Sequence, residues 1–370
     1  MPQRRFIVVA AALTLASLAC GPAVSTIGED AGAVATRVAA TLRALRTDTP
    51  EVVVPPEATP LPARLWKSYS SGGATGWWLE AGSATEVTLP VEPGQYYDFS
   101  PANGKILYAS HFANAGAGPG NLAVSDLWMV EYPSGSPTAL IPGDTVVEAL
   151  WAPDGSGVVY IGATPTTYEL RYRSLTGDER LLASHVAPTW SVSPSGSHVA
   201  FTRETGYDVP GAPGLFVVSM AGGTETMVSS ADRQGAGGIE DQPTWSPDET
   251  RLALPNYGFA PGHLVIAAAD GSLDTTLSFA PAVAEDPVLG SFPSVVLWHP
   301  DGRQLVGVSG YAEGMGGPWA LVVYQLADDG HTVVSAARFG TGFGLVGWNV
   351  PGRSLYAQDQ NGQLSLMTLP

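Results

Sequence analysis

Two adjacent acidic pairs are the residues of this sequence that could most directly do chemistry. Glu240-Asp241 and Glu285-Asp286 each place two carboxyl groups side by side, and glycoside hydrolysis uses a pair of carboxyl groups. Acidic pairs in loops more often carry solvated charge than catalysis. The sequence has no G-x-S-x-G nucleophile elbow, which α/β-hydrolases use to expose their serine. We therefore expect no enzymatic activity and keep a hydrolase or lyase built on acidic residues as the alternative.

Histidine is the other residue type that could carry chemistry, because it ligates metals. The chain has six: His111, His185, His198, His263, His299 and His331. They are scattered, and no His-x-His or His-Glu-x-x-His spacing occurs among them. The sequence predicts neither a metal site nor another cofactor. His299 stands at a variable position of a turn, and we expect it to face solvent.

Composition favours a scaffold of many short strands. Of the 370 residues, 45% are hydrophobic and only 14% are charged, with 44 Gly and 31 Pro. Such frequent turn residues are typical of an all-β protein. The formal net charge is −17, which argues against binding to the anionic backbone of nucleic acids.

A turn motif recurs along the chain. Three copies are clear: Trp151-Ala-Pro-Asp-Gly155, Trp245-Ser-Pro-Asp248 followed by Glu249, and Trp298-His-Pro-Asp-Gly302. Weaker copies surround Pro101, Pro194 and Val350, so that successive copies stand 41 to 53 residues apart. Proline and glycine preset the backbone angles of a turn, and aspartate hydrogen-bonds the backbone two residues on. The motif therefore predicts a hairpin turn that repeats once in each structural unit.

In each repeat, the strand that precedes the turn is the first strand, and three further strands follow the turn. For example, the apolar strand at Val158-Val159-Tyr160 is followed by a third strand at Glu169 to Arg173. Four strands in about 50 residues make one blade of a β-propeller. The large aromatic residue before the turn is expected to fill the space between adjacent blades.

The repeats resemble the WSPDG-type, TolB-like β-propeller family. The resemblance covers residues from about Tyr96 to the C-terminus and implies an all-β, six-bladed propeller of four-stranded antiparallel blades. Extra strand-like segments at Leu65 to Tyr69, Trp77 to Glu80 and Glu86 to Leu89 leave seven blades possible. We expect one of these segments to complete the last blade by pairing with the C-terminal strands.

The N-terminus carries an export signal. Arg4-Arg5 precedes an apolar run from Phe6 to Leu18, which is shorter than the ~20 residues of a membrane-spanning helix. Residues 1–20 are therefore expected to form a signal peptide. Its end, Ser17-Leu-Ala-Cys20, resembles the lipobox of bacterial lipoproteins, although Ser17 replaces the usual aliphatic residue. The resemblance implies export and a lipid anchor on the single cysteine, Cys20. Ser17-x-Ala19 also fits an ordinary signal peptidase site, which would give a secreted protein.

A tether is expected between this anchor and the folded part. Within residues 21–63 we expect a short amphipathic helix at 29–47 and a proline-rich linker at 48–63, whose prolines favour an extended chain. The propeller then occupies residues 64–370 and would be held away from a cell membrane on its extracytoplasmic side.

Long loops at one face are the predicted ligand-binding region. The loops between second and third strands, and two loops between blades, fall on the same side of a propeller, around the channel mouth. They carry Tyr207, Asp208, Asp232, Arg233, Glu240, Asp241, Tyr257, Phe259, Glu285, Asp286, Tyr311, Glu313 and Trp319. Aromatic and charged residues on rigidly mounted loops are typical of recognition surfaces. We expect a monomeric binding module for a protein, peptide or glycan of the cell envelope.

Overall fold

A computed structural model describes 64–70, 73–80, 82–91, 96–114, 123–203, 213–230, 242–256, 263–293, 295–309, 319–342, 344–359 and 361–370. The chain divides into two units, Met1–Pro56 and Glu57–Pro370. The predicted signal peptide, helix and linker lie outside the described residues. Among the described helices, none has the length and apolar character needed to cross a membrane.

In the described part of the chain, antiparallel strands build seven blades. Blade 1 contains β1 (Arg64–Ser70), β2 (Gly73–Glu80) and β3 (Ser83–Val87). Blade 2 contains β4 (Tyr96–Ser100), β5 (Lys105–Ala109), the short β6 (Ala113–Asn114), β7 (Ala123–Glu131) and the first part of β8 (Thr138–Trp151). Blade 3 contains the second part of β8 with β9 (Gly157–Ala163), β10 (Tyr168–Ser174) and β11 (Glu179–Ser184). Blade 4 contains β12 (Val186–Val192), β13 (His198–Arg203), β14 (Gly214–Ser219) and β15 (Thr226–Ser230).

The remaining blades follow the same order. Blade 5 contains β16 (Thr244–Trp245), β17 (Arg251–Asn256), β18 (His263–Ala268) and β19 (Asp274–Thr276). After it come β20 (Ser278–Phe279) and the short helix α1 (Pro281–Ala284). Blade 6 contains β21 (Val295–Trp298), β22 (Gln304–Ser309), β23 (Ala320–Leu326) and β24 (Thr332–Thr341), which also pairs in parallel with β20. Blade 7 contains β25 (Gly344–Val350), β26 (Ser354–Gln358) and β27 (Leu364–Thr368).

The prediction of an all-β propeller is confirmed, with the larger of the two blade counts that the sequence left open. The segment before the first motif explains the count. Its strands β1, β2 and β3 pair with one another and form a separate three-stranded sheet. The expected pairing of one of them with the C-terminal strands is therefore replaced by an additional blade, which has three strands instead of the predicted four.

Apolar packing between blades closes the ring. Seven hydrophobic clusters lie at the seven successive interfaces between blades. The cluster that joins blade 7 to blade 1 contains Trp77, Leu79, Val346 and Tyr356. Because each sheet buries both of its faces against neighbours, the hydrophobic core is a ring of interfaces rather than one central cluster.

Tryptophans of the turn motif link neighbouring first strands, as their position before each turn predicts. The indole Nε1 of Trp298 donates to the Thr244 carbonyl at 3.0 Å, and that of Trp348 donates to the Trp298 carbonyl at 3.1 Å. Trp245 makes the corresponding bond to the Ser191 carbonyl at 3.4 Å. Each of these residues both fills an interface and fixes the distance between two blades.

The turns have the geometry that their residue types predict. Asp154 and Asp301 accept the backbone N–H two residues on, at 2.9 and 2.7 Å. Gly302 adopts a φ of 69°, a conformation that glycine reaches without steric cost. At the equivalent position Glu249 adopts a φ of 58°, and its carboxylate accepts hydrogen bonds from Ser195 and Ser197 of the preceding blade. The side chain of Glu249 thus links two turns, which a glycine at this position could not do because it has no side chain.

His299 is an interface residue, which corrects the expectation that it faces solvent. Its side chain is 15% exposed, and its ring packs edge-on against Trp348 of blade 7, with 5.5 Å between the ring centres. Its Nε2 lies 3.4 Å from the Gly352 carbonyl. The variable position of the motif is used here to join two turns.

Candidate functional site at the channel mouth

The blades bring one end of their strands to a common mouth. First strands of neighbouring blades contact one another, so they surround the centre of the ring. The described second strands end, and the described third strands begin, at the end opposite the Pro-Asp-Gly turns. The described residues at that end include His111 and Phe112 after β5, Asp126 on β7 and Asp144 within β8. We call these four residues the mouth cluster.

Asp126 shapes the bend that carries Asp144. Strand β8 pairs first with β7 and then with β9, and it turns between blades at Gly143 and Asp144. Asp126 Oδ1 accepts the backbone N–H groups of Gly143 at 2.6 Å and of Asp144 at 3.0 Å. These two hydrogen bonds are the main cause of the lowered pKa of Asp126. The carboxylate therefore fixes Asp144 in a conformation with a φ of 50°.

His111 and Asp144 form a close pair beside an exposed aromatic ring. Nε2 of His111 lies 3.0 Å from Oδ1 of Asp144, and Nδ1 of His111 lies 2.9 Å from Ser110 Oγ. The side chain of Phe112 is 47% exposed, with its ring centre 6.5 Å from that of Tyr97. An exposed aromatic residue next to ionisable groups is a composition suited to recognition.

Tyr97 connects this cluster to the first strands. Its hydroxyl donates to the Val147 carbonyl at 3.2 Å and lies 3.3 Å from Ser125 Oγ. Burial raises the pKa of Tyr97, so the hydroxyl stays protonated. The ring beneath Phe112 is therefore held between blades 2 and 3.

Glu148 is a carboxylate at the centre of the ring. It lies in the second part of β8 and accepts hydrogen bonds from Trp190 Nε1 at 2.9 Å and from Gln242 Nε2 at 3.3 Å. These partners belong to the first strand of blade 4 and to the residues just before the first strand of blade 5. Burial raises the pKa of Glu148. Polar side chains from the next two blades thus converge on this carboxyl group of blade 3.

Asp98 is a second carboxylate on the first strands, and its contacts are structural. Oδ1 accepts the Phe99 N–H at 2.8 Å and Oδ2 accepts the Trp151 N–H at 2.8 Å, which joins blades 2 and 3. Burial raises its pKa to about 6 despite these two hydrogen bonds. Both oxygens are engaged by the backbone, so Asp98 fixes the spacing of the strands that carry Tyr97 and Glu148.

The raised pKa of Asp98 predicts a specific pH dependence of stability. The unfolded chain releases this proton near pH 4 and the folded chain near pH 6, so the stabilisation is complete below pH 4 and is lost as the pH rises through 6. We expect the melting temperature of wild type minus that of Asp98→Asn to decrease from pH 4 to pH 7. Asp154→Asn supplies a control of opposite sign, because hydrogen bonds from Ser156 lower the pKa of Asp154. Parallel trends in the two variants would contradict the assignment.

Three of the predicted site residues fall within the described part of the chain. Glu285 is exposed at the end of α1. Asp286 accepts the N–H groups of Val288 and Leu289 and pairs with Arg338 at 3.0 Å. These hydrogen bonds lower the pKa of Asp286. Trp319 packs against the cluster between blades 6 and 7.

The other predicted positions lie outside the described residues. They are Cys20, Tyr207, Asp208, Asp232, Arg233, Glu240, Asp241, Tyr257, Phe259, Tyr311 and Glu313. Their assignment to ligand binding stays a prediction.

Neither the residues of the mouth cluster nor Glu148 was among the site residues predicted from the sequence. His111 and Asp144 are 33 positions apart and meet only because β8 bends between two blades. Glu148 could have been noticed in the sequence, because it occupies a fixed position before the turn proline of its repeat. The residues at that position in other repeats are not acidic: Tyr96, Thr189, Gln242 and Val295. A carboxylate there departs from the repeat without a packing reason.

Comparisons with known proteins agree with the architecture. No protein-family model matches the chain, and no curated protein matches it. Solved structures do match: tricorn protease has a TM-score of 0.50 at 11% identity, covering 85% of this chain and 33% of that chain. Oligogalacturonate lyase from Vibrio parahaemolyticus has a TM-score of 0.49 at 14% identity, covering 85% and 93%. TolB from Acinetobacter baumannii has a TM-score of 0.43 at 12% identity, covering 83% and 78%.

The fold is a β-propeller. Identities this low show the architecture alone, and the matched proteins include enzymes of different chemistry. The function of the chain therefore has to be argued from its own residues.

Proposed function

We propose that this chain is a lipid-anchored, TolB-like β-propeller that binds a protein, peptide or glycan of the cell envelope and is not an enzyme. The observation that carries the proposal is the mouth itself, where exposed Phe112 and the His111–Asp144 pair lie between the end of β5 and the bend of β8. Glu148, with partners from the next two blades, supplies a hydrogen-bond acceptor at the centre of the ring. Such a surface can contact a ligand with an aromatic face and with charge.

The binding proposal predicts a local loss of affinity. Full-length protein in detergent is screened on immobilised oligosaccharides and on an envelope-peptide library, and each captured probe is then titrated. We expect Phe112→Ala to weaken capture by at least about tenfold, which is the scale of one interface hot spot. Leu181→Ala is the matched control, because Leu181 is also 47% exposed but lies on the outer strand of blade 3. Equal effects of the two variants would place the ligand elsewhere.

The anchor proposal predicts a modified N-terminus. Cys20 is the single cysteine and stands at the cleavage position of the lipobox-like sequence. We expect mass spectrometry of the mature protein to find an N-terminal Cys20 that carries a lipid, and Cys20→Ala to move the protein out of the membrane fraction. An unmodified Cys20 in the mature chain would favour the secreted alternative.

The enzymatic alternative rests on the raised pKa of Glu148. A carboxyl group that keeps its proton above its usual range can act as a general acid. A hydrolase or lyase acting on glycans or peptides would then lose its activity in Glu148→Gln, while Asp286→Asn would retain it. A wild-type chain with no turnover on either substrate class would exclude this alternative.

A further inference from the structure

Three potential metal ligands come together in the mouth cluster from separate elements of blade 2. One ligand atom each from His111, Asp126 and Asp144 lies within 4.8 Å of the others. His111 follows β5, Asp126 belongs to β7, and Asp144 lies at the bend of β8. Their convergence is a product of the fold rather than of local sequence.

A carboxylate oxygen of Asp144 lies at the distance from His111 that two ligands of one ion would have. Asp144 Oδ1 is shielded from solvent, although the Asp144 side chain is 42% exposed, and it lies 3.0 Å from His111 Nε2. A shielded carboxylate oxygen needs a positive or hydrogen-bond-donating group beside it. Two ligands at right angles on an ion about 2.1 Å from each would themselves be about 3.0 Å apart. A shared ion would therefore satisfy the oxygen at the distance observed.

Surrounding contacts hold the three ligands in place. His111 has its second ring nitrogen, Nδ1, 2.9 Å from Ser110 Oγ, which leaves Nε2 to face Asp144. Asp126 Oδ1 is held by the Gly143 and Asp144 N–H groups. Metal-ligating histidines and carboxylates are characteristically oriented by such outer hydrogen bonds.

We propose that His111, Asp126 and Asp144 bind a divalent transition-metal ion such as zinc or iron(II). An imidazole nitrogen favours these ions over calcium and magnesium, which prefer oxygen ligands alone. Three protein ligands leave coordination positions open, and the 53% exposure of the His111 side chain and the 42% exposure of Asp144 place the ion at the surface of the mouth. The assignment stands independently of whether the mouth binds another ligand.

Cobalt(II) titration of the full-length, chelator-treated protein tests the site, because cobalt(II) reports histidine and carboxylate ligation through its visible absorption. We expect one ion per chain in wild type. His111→Ala and Asp144→Asn should each weaken binding by at least about tenfold. Asparagine tolerates the positive φ of Asp144, and both side chains are exposed, so these variants should fold; their melting curves check this.

His331→Ala is the matched control. His331 is also paired with an aspartate, with Nδ1 3.8 Å from Asp329 Oδ1, but it belongs to no three-ligand group among the described residues. We expect this variant to bind cobalt(II) as wild type does. An equal loss in His331→Ala and His111→Ala, or no wild-type binding, would overturn the proposal and leave an ordinary ion pair between His111 and Asp144.

Discussion

Replacing Trp298 with alanine is expected to lower the free energy of unfolding by about 3–5 kcal/mol, the range for removing a large aromatic residue from a core. Trp298 is 4% exposed and fills the interface between blades 5 and 6. The substitution would leave a cavity and remove the bond from Nε1 to the Thr244 carbonyl at 3.0 Å. It would also remove the ring under the Arg251 guanidinium, which lies 4.8 Å from the ring centre.

Urea unfolding followed by circular dichroism measures this loss, with two reference variants. Trp298→Phe keeps most of the packing and loses the indole N–H, so we expect it to cost less than the alanine variant. Leu366→Ala removes an apolar side chain that is 42% exposed on the outer strand of blade 7 and should change stability by no more than about 0.5 kcal/mol. A similar small change in Trp298→Ala would show that the turn motif does not hold the blades together.

The repeated turn made the architecture predictable from the sequence. Its aromatic, proline, aspartate and glycine positions act locally, so each copy indicates where one first strand ends. The third strand predicted at Glu169 to Arg173 is β10 (Tyr168–Ser174) in the structure. The spacing of the repeats and the residue types of the turns were sufficient to predict the strands, because neither depends on contacts between distant parts of the chain.

Contacts between blades were not predictable in the same way. Blade 1 has no copy of the motif, so only its strand-like segments allowed for a seventh blade. Likewise, the neighbours of His299 and Glu249 belong to other blades and are about one repeat away in sequence. The mouth cluster depends on the bend of β8, which joins two blades in one continuous strand. A single sequence shows the residue types but not which of them the ring brings together.

Tyr356 should be the most sensitive residue at the seam between the last blade and the first. It is 2% exposed and packs with Trp77, Leu79 and Val346. Its hydroxyl lies 2.6 Å from both the Glu80 and the Ser83 carbonyls of blade 1. We expect Tyr356→Ala to lower the free energy of unfolding by about 3–5 kcal/mol.

The Tyr356→Phe variant tests the hydroxyl group separately, because it keeps the ring and removes only the hydroxyl. We expect it to cost about 1–3 kcal/mol, because the blade 1 carbonyls lose a buried donor. Asn349 supplies another side-chain link across the seam, its Oδ1 accepting the Gly82 N–H at 2.9 Å. Since Tyr356 also lies 3.1 Å from Asn349 Oδ1, the Tyr356→Phe and Asn349→Ala effects should not add in a double-mutant cycle. Strict additivity would mean that the two side chains act independently, and no effect of Tyr356→Phe would mean that its hydroxyl does not stabilise the seam.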